Sequence, residues 1–170
     1  MPIENVPQPA FLFIDDTLRL RRYDGVFDFA FDWYQDEELV LLVDGVRRRY
    51  DHSMLRGMYE YLNRKGELYF IEICMPEGWK PIGDVTFWQQ DMPIGIGDAA
   101  CRGRGVGRRV IHRLIERGRE LGYTELFVNE IYSFNTASQK CFESIGFRPY
   151  QATEKGHRYR LVLSKENANR

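Results

Sequence analysis

Residues 102 to 108 read Arg102, Gly103, Arg104, Gly105, Val106, Gly107 and Arg108, with three glycines alternating where a strong amphipathic pattern begins. Glycine costs helix stability, so such a cluster at a helix start calls for a reason. Without side chains, the first-turn N–H groups of the helix stay open, and the helix dipole places partial positive charge on them. A phosphate or pyrophosphate group can then rest on the backbone, with the three arginines adding mobile charge around it. A flexible Gly/Arg surface turn is the alternative.

Two other phosphate loops fail on the same residues. A Walker loop ends in Gly-Lys-Ser/Thr, whereas Gly107 is followed by Arg108 and Arg109. Gly95, Gly97 and Ala100 match the dinucleotide spacing, but they precede the helix start by several residues and open no N-terminal βαβ unit.

Other groups with chemical capacity are scattered. Asp84, Asp91, Asp98 and Glu130 fall on or near predicted strands, where a carboxylate can act as a general base. A solvated surface position is the alternative for each. His52, His112 and His157 form no constellation. Cys74, Cys101 and Cys141 are odd in number and lack CxxC spacing, which argues against a disulfide framework or a zinc site and for a reducing cytoplasm. Asp32, Asp36, Glu37, Glu38 and Asp44 give an acidic bias that suits a cationic ligand, although Arg47, Arg48 and Arg49 follow at once.

These groups need a frame. The chain has 170 residues, 24 Lys plus Arg against 25 Asp plus Glu, and 44% hydrophobic residues. That fits one globular domain spanning 1–170, with residues 1–10 as an extended arm. The charge balance argues against a bulk polyanion binder, so no nucleic-acid partner is expected. No apolar run reaches the ~20 residues of a membrane span, and the start lacks a signal-peptide pattern.

Phe11–Ile14 and Leu18–Tyr23 read as strands around a turn at Asp15–Thr17. Helical spacing marks 26–34 and Ser53–Asn63, the latter with Ser53 as N-cap and Gly66 as stop. Glu67–Met75 and Ile82–Gln89 make a hairpin across a proline-bounded loop, and Pro93–Gly97 is a further strand. Val106–Leu121 is an amphipathic helix ended by Gly122. A strand at Glu125–Ile131, a helix at Asn135–Ile145 and strands at Phe147–Gln151 and His157–Leu163 follow. The order implies an α/β domain with a mixed sheet of about six or seven strands and about four helices.

Arg102-x-x-Gly105-x-Gly107 opening a helix after a strand resembles the acyl-CoA-binding motif of the GCN5-related N-acetyltransferases (GNAT). The second half is similar to the same family, with Asn135-Thr136-Ala137-Ser138 leading a helix that ends in Gly146-Phe147. The likeness covers about 67–150, the expected CoA-binding core. The first part resembles the ribosomal-protein N-acetyltransferase branch more loosely, through Leu18–Arg21 and Trp33–Asp36.

The resemblance implies a centrally splayed sheet and acetyl-CoA as cosubstrate, with no metal. It assigns backbone groups of Ile96 and Gly97 to the pantetheine arm and the amides from Arg102 through Gly103, Arg104, Gly105, Val106, Gly107 and Arg108 to the pyrophosphate. Asn135 would bond the cofactor arm or serve as a plain N-cap. It implies direct attack by a primary amine of a small molecule or protein amino terminus, in a monomer or homodimer. The tyrosine that protonates the departing thiolate in the family is replaced by Phe142. Ser138 or Tyr132 could substitute, and Cys141 reads as packing. Phe142 would then face the cofactor, and Phe142→Tyr would be tolerated; core packing is the other reading. The missing hydroxyl also admits a catalytically silent acyl-CoA sensor.

Overall fold

The computed structural model describes residues 1–163. By their internal contacts these form two units, one of Met1–Trp88 with Pro93–Val106, the other of Gln89–Met92 with the described residues from Gly107 onward.

The first unit carries a five-stranded sheet in the order β1-β2-β3-β4-β5. Its strands are β1 (Phe11–Phe13), β2 (Leu18–Arg22), β3 (Glu67–Met75), β4 (Gly78–Phe87) and β5 (Ile94–Ile96). Asp15 turns the first hairpin by accepting from the Thr17 amide and hydroxyl, both at 2.8 Å. The β3–β4 connection is shorter than its prolines suggest, because β4 begins at Gly78 and runs through Pro81. Pro81 pairs with Glu72 where the register shifts, the position at which a sheet tolerates a residue without an N–H.

Two helices belong to this unit, α1 (Glu37–Asp44) and α2 (His52–Lys65). The N-cap of α2 is Asp51, which accepts from the Met54 amide at 2.8 Å; Ser53, the expected cap, lies inside the helix. The segment 26–34 is no α-helix. It forms two 3-10 turns, Asp28–Ala30 and Asp32–Gln35. α1 itself, which the acidic residues masked in the sequence, starts at a cap made by the Asp36 carboxylate on the Glu38 amide. Phe27, Tyr34, Leu39, Val40, Tyr50, Leu55, Tyr59, Leu68 and Phe70 form the buried core.

The second unit holds α3 (Val106–Glu120, whose first residue closes the first unit), β6 (Glu125–Tyr132), α4 (Thr136–Ile145), β7 (Arg148–Ala152) and β8 (Gly156–Val162). Its sheet has the order β6-β8-β7. Val110, Ile111, Leu114 and Ile115 of α3 are buried with Leu126 and Val128 of β6. A Cβ on Gly118 would stand 3.1 Å from Leu126, so glycine lets α3 lie close to the strand. Gly122, at φ +79°, ends the helix as expected.

The α/β expectation with four α-helices stands. The strands number eight among the described residues, divided between two sheets, and every ladder is antiparallel where a mixed sheet was expected. Residues 1–10 carry no helix or strand. No helix among the described residues is long and apolar enough to cross a membrane.

Candidate acyl-CoA site

β5 hands the chain to the glycine loop through a built turn. Asp98 donates its amide to Ile82 O at 2.9 Å and caps the 3-10 turn Ala99–Cys101 by accepting from the Ala100 amide at 3.0 Å. Gly103 and Gly105 then take φ of +72° and +77°, left-handed conformations that explain two of the three glycines. A Cβ on Gly103, Gly105 or Gly107 would meet nothing within 4 Å, so the backbone faces open space on this side. The first turn of α3 adds amides that helix geometry leaves without an intrahelical partner. Arg104 and Arg108 are exposed, and Arg108 touches the Ser144 hydroxyl at 2.9 Å. Open backbone donors, a helix start and two exposed cations fit a pyrophosphate.

Arg102 is not the mobile cation of the sequence expectation. Its Nε donates to Ile96 O at 2.8 Å, one terminal nitrogen to Gly97 O at 3.3 Å and the other to Asp36 Oδ2 at 3.1 Å. Of the Ile96 and Gly97 backbone groups expected to meet pantetheine, the carbonyls accept from this side chain. Gly97 is also pressed against an indole: a Cβ there would overlap the Trp33 ring.

Asp84, on β4 opposite Gly95 of β5, is buried and accepts two tyrosine hydroxyls on one oxygen. Tyr34 Oη and Tyr59 Oη each donate to Oδ2 at 2.7 Å. Burial pushes the Asp84 carboxyl up to about 6 against the opposing pull of these two bonds. Burial, then the Asp84 charge, raises both tyrosines well above their ordinary range, so they remain donors. Asp98 is tuned the opposite way. Burial lifts its carboxyl, but Lys80, donating at 3.2 Å, and the Ala100 amide together outweigh that and hold it low.

In the second unit, Asn135 caps α4, its Oδ1 accepting from the Ser138 amide at 3.1 Å. Ser138 and Cys141 are half-buried, and burial raises the Cys141 thiol. Phe142 is 2% exposed, with its ring edge-on to Phe147 at 5.2 Å. Glu130 lies in the irregular stretch of β6 between Val128 and Ile131, beside Asn129, whose amide donates to Asp91 at 3.0 Å. Tyr132 stacks on Phe134 at 5.3 Å.

The acidic bias is largely cancelled, since Arg47 pairs with Glu38, Arg48 with Asp44 at 3.0 Å and Arg102 with Asp36. The structure therefore gathers Asp84 with Tyr34 and Tyr59, a cluster without any spacing signal, and gathers Arg102 with Asp36. Within the same unit, Asp98 bonds Lys80 and the Ala100 amide and makes no described hydrogen bond to the Asp84 cluster. Among the described residues no group of three His, Cys, Asp or Glu could hold a metal ion.

The order of strands and helices is that of an acetyltransferase fold. The sequence model of the Acetyltransferase (GNAT) family matches residues 27–147, and the chain belongs to that family, whose acetyl donor is acetyl-CoA. No curated protein sequence matches the chain. Among solved structures, a domain from Methanocaldococcus jannaschii is 17% identical at TM-score 0.73, covering 87% of this chain and 100% of its own. Aminoglycoside acetyltransferase AAC(6')-Ib with ribostamycin and coenzyme A is 15% identical at TM-score 0.74, covering 91% and 98%. The ribosomal alpha-N-protein acetyltransferase RimL with coenzyme A is 14% identical at TM-score 0.72, covering 94% and 99%.

Proposed function

We propose that this protein moves the acetyl group of acetyl-CoA onto a primary amine of a small molecule or a protein amino terminus, by direct attack. The observation that carries this reading is the loop itself, two left-handed glycines and open backbone at the head of the fifteen-residue α3. When bound, acetyl-CoA supplies a thioester carbonyl that an uncharged amine can attack. The amides of Gly103 to Arg108 hold the pyrophosphate, and Arg104 and Arg108 balance its charge. Arg102 supports that loop from behind.

Asp84 is the proton acceptor this reading favours. A carboxyl near 6 is ionised at neutral pH yet basic enough to take a proton, whereas Lys80 keeps Asp98 a weaker base. Asn135 and Ser138 at the head of α4 are the groups left for the cofactor arm. One neighbour is named as an alpha-N-protein acetyltransferase of a ribosomal protein and another is bound to ribostamycin, which supports the acceptor class.

Thermal unfolding with acetyl-CoA, CoA, ATP and NAD tests the reading, since a ligand at 100 times its dissociation constant adds ~2.7 kcal/mol. Stabilisation by the CoA species alone is expected; no shift with either ends the proposal. The second reading, a catalytically silent sensor, is favoured by the buried, hydroxyl-free Phe142. It gains if acetyl-CoA stabilises the protein while a broad amine panel releases no free thiol.

A further inference from the structure

The residue before the first loop glycine reaches back to Asp36, at the head of α1. Arg102 spends its guanidinium on three acceptors, Ile96 O, Gly97 O and Asp36 Oδ2, at 2.8, 3.3 and 3.1 Å. A planar fork with five donors suits such a three-way tie. Asp36 is bound on both oxygens, for its Oδ1 caps α1 through the Glu38 amide at 3.0 Å. Its own amide donates to Trp33 O at 3.3 Å. Burial lifts the Asp36 carboxyl, but Arg102 and the Glu38 amide outweigh that and keep it ionised.

The same short segment makes a second attachment. Trp33 lies over Gly97 so closely that only glycine fits, and Phe29 meets the Trp33 ring edge-on at 5.5 Å. Residues 28–36 are therefore fastened to the end of β5 by an indole on bare backbone and by an ion pair. That ion pair ends on the residue that introduces Gly103, Arg104 and Gly105.

We propose that the Asp36–Arg102 pair is a positioning contact that couples residues 28–36 to the glycine loop, so that a CoA ligand on the loop orders residues 28–36 as well. The inference rests on the proposed acetyl-CoA reading of that loop. Anything that stiffens the loop fixes Arg102, and through it the cap of α1 and the Trp33 turn. By linkage, an acceptor that orders 28–36 tightens CoA by the same factor.

Amide hydrogen exchange with and without saturating CoA tests this in the wild type, Asp36→Asn and Arg102→Lys. Asparagine caps helices as well as aspartate does, so Asp36→Asn keeps α1 while removing the charge that holds Arg102. Lys keeps the charge of Arg102 but loses the fork. In the wild type, CoA is expected to slow exchange both at the loop and across 28–36. In both variants the loop stays protected at saturation, the protection of 28–36 is lost, and CoA affinity falls about threefold, within the range of a partly exposed ion pair.

Undiminished protection of 28–36 in both variants overturns the proposal. So does a wild type in which the loop is protected and 28–36 is not. Failure of CoA to protect the loop at all removes the acetyl-CoA reading first, and this coupling with it.

Discussion

Tyr34 and Tyr59, twenty-five residues apart in sequence, point their hydroxyls at the same carboxylate oxygen of Asp84, each 2.7 Å away. Neither bond overcomes the cost of burying the charge, and the Asp84 carboxyl stands at about 6 against an ordinary 3.8. A carboxyl whose folded value is raised binds its proton more tightly in the native state. Folding stability is therefore highest at low pH from this group and falls as pH rises from near 4 to near 6, then levels.

Asp84→Asn removes that dependence while leaving an oxygen for both tyrosines. Chemical denaturation of the two proteins from pH 4 to 7 should show the wild type losing roughly 2 kcal/mol relative to the variant. Parallel curves would mean the carboxyl is not raised. If Asp84 is also the base, acetyl transfer by the wild type falls below pH about 6, and the variant loses turnover without losing CoA affinity.

The loop is best probed at Gly107. Gly105→Val would force a β-branched residue into φ +77°, mixing backbone strain with any effect on binding. Gly107 lies inside α3, with open space where a side chain would go. Valine suits a helix slightly better than glycine, so Gly107→Val should raise stability by a few tenths of a kcal/mol, about the difference in propensity. CoA affinity should drop by about tenfold or more, equivalent to ~1.4 kcal/mol. Thermal unfolding without ligand checks the first sign and calorimetric titration with CoA the second, and unchanged affinity makes the loop a plain surface turn.

What could be read in the sequence was what short-range chemistry controls. The glycines around α3 and the stripe of Val110, Ile111, Leu114 and Ile115 declare both the helix and its ends. α1 went unseen because Leu39 to Val43 is an unbroken apolar run between acidic residues, with no 3.6-residue rhythm to detect. The 26–34 stretch has that rhythm but breaks into two 3-10 turns, each opened by its own aspartate, Asp28 and Asp32. The Asp84 cluster had no signal at all. Its partners stand 50 and 25 residues away, and only the folding of α2 and the 3-10 turn at Asp32 onto β4 brings them together.

Gly97 predicts a size-dependent clash. Gly97→Ala should destabilise the protein by about 1–3 kcal/mol, the usual cost of overpacking. Trp33→Ala alone loses apolar contacts and is destabilising too. Combined, the two changes should cost less than their sum, because the methyl then enters the space the indole vacated. A double-mutant cycle by urea denaturation measures this; strict additivity would separate Trp33 from Gly97.

Phe142 invites the last test. The family resemblance sets this position beside the departing thiolate and expects Phe142→Tyr to be tolerated, even helpful. The structure gives the ring other company: it is 2% exposed and edge-on to Phe147 at 5.2 Å, in the stripe that α4 turns inward. A tyrosine hydroxyl added to that packing needs a hydrogen-bond partner. The Phe142 carbonyl already accepts from the Gly146 and Phe147 amides, and the ring itself is packed against Phe147. A buried hydroxyl without a partner costs roughly 1–3 kcal/mol, so the melting temperature of Phe142→Tyr should fall. Acetyl transfer measured on the folded fraction should not rise, because a hydroxyl held among aromatic rings donates nothing to a sulfur. Retained stability together with faster thiol release would reverse the assignment and place this side chain at the reacting end of the cofactor.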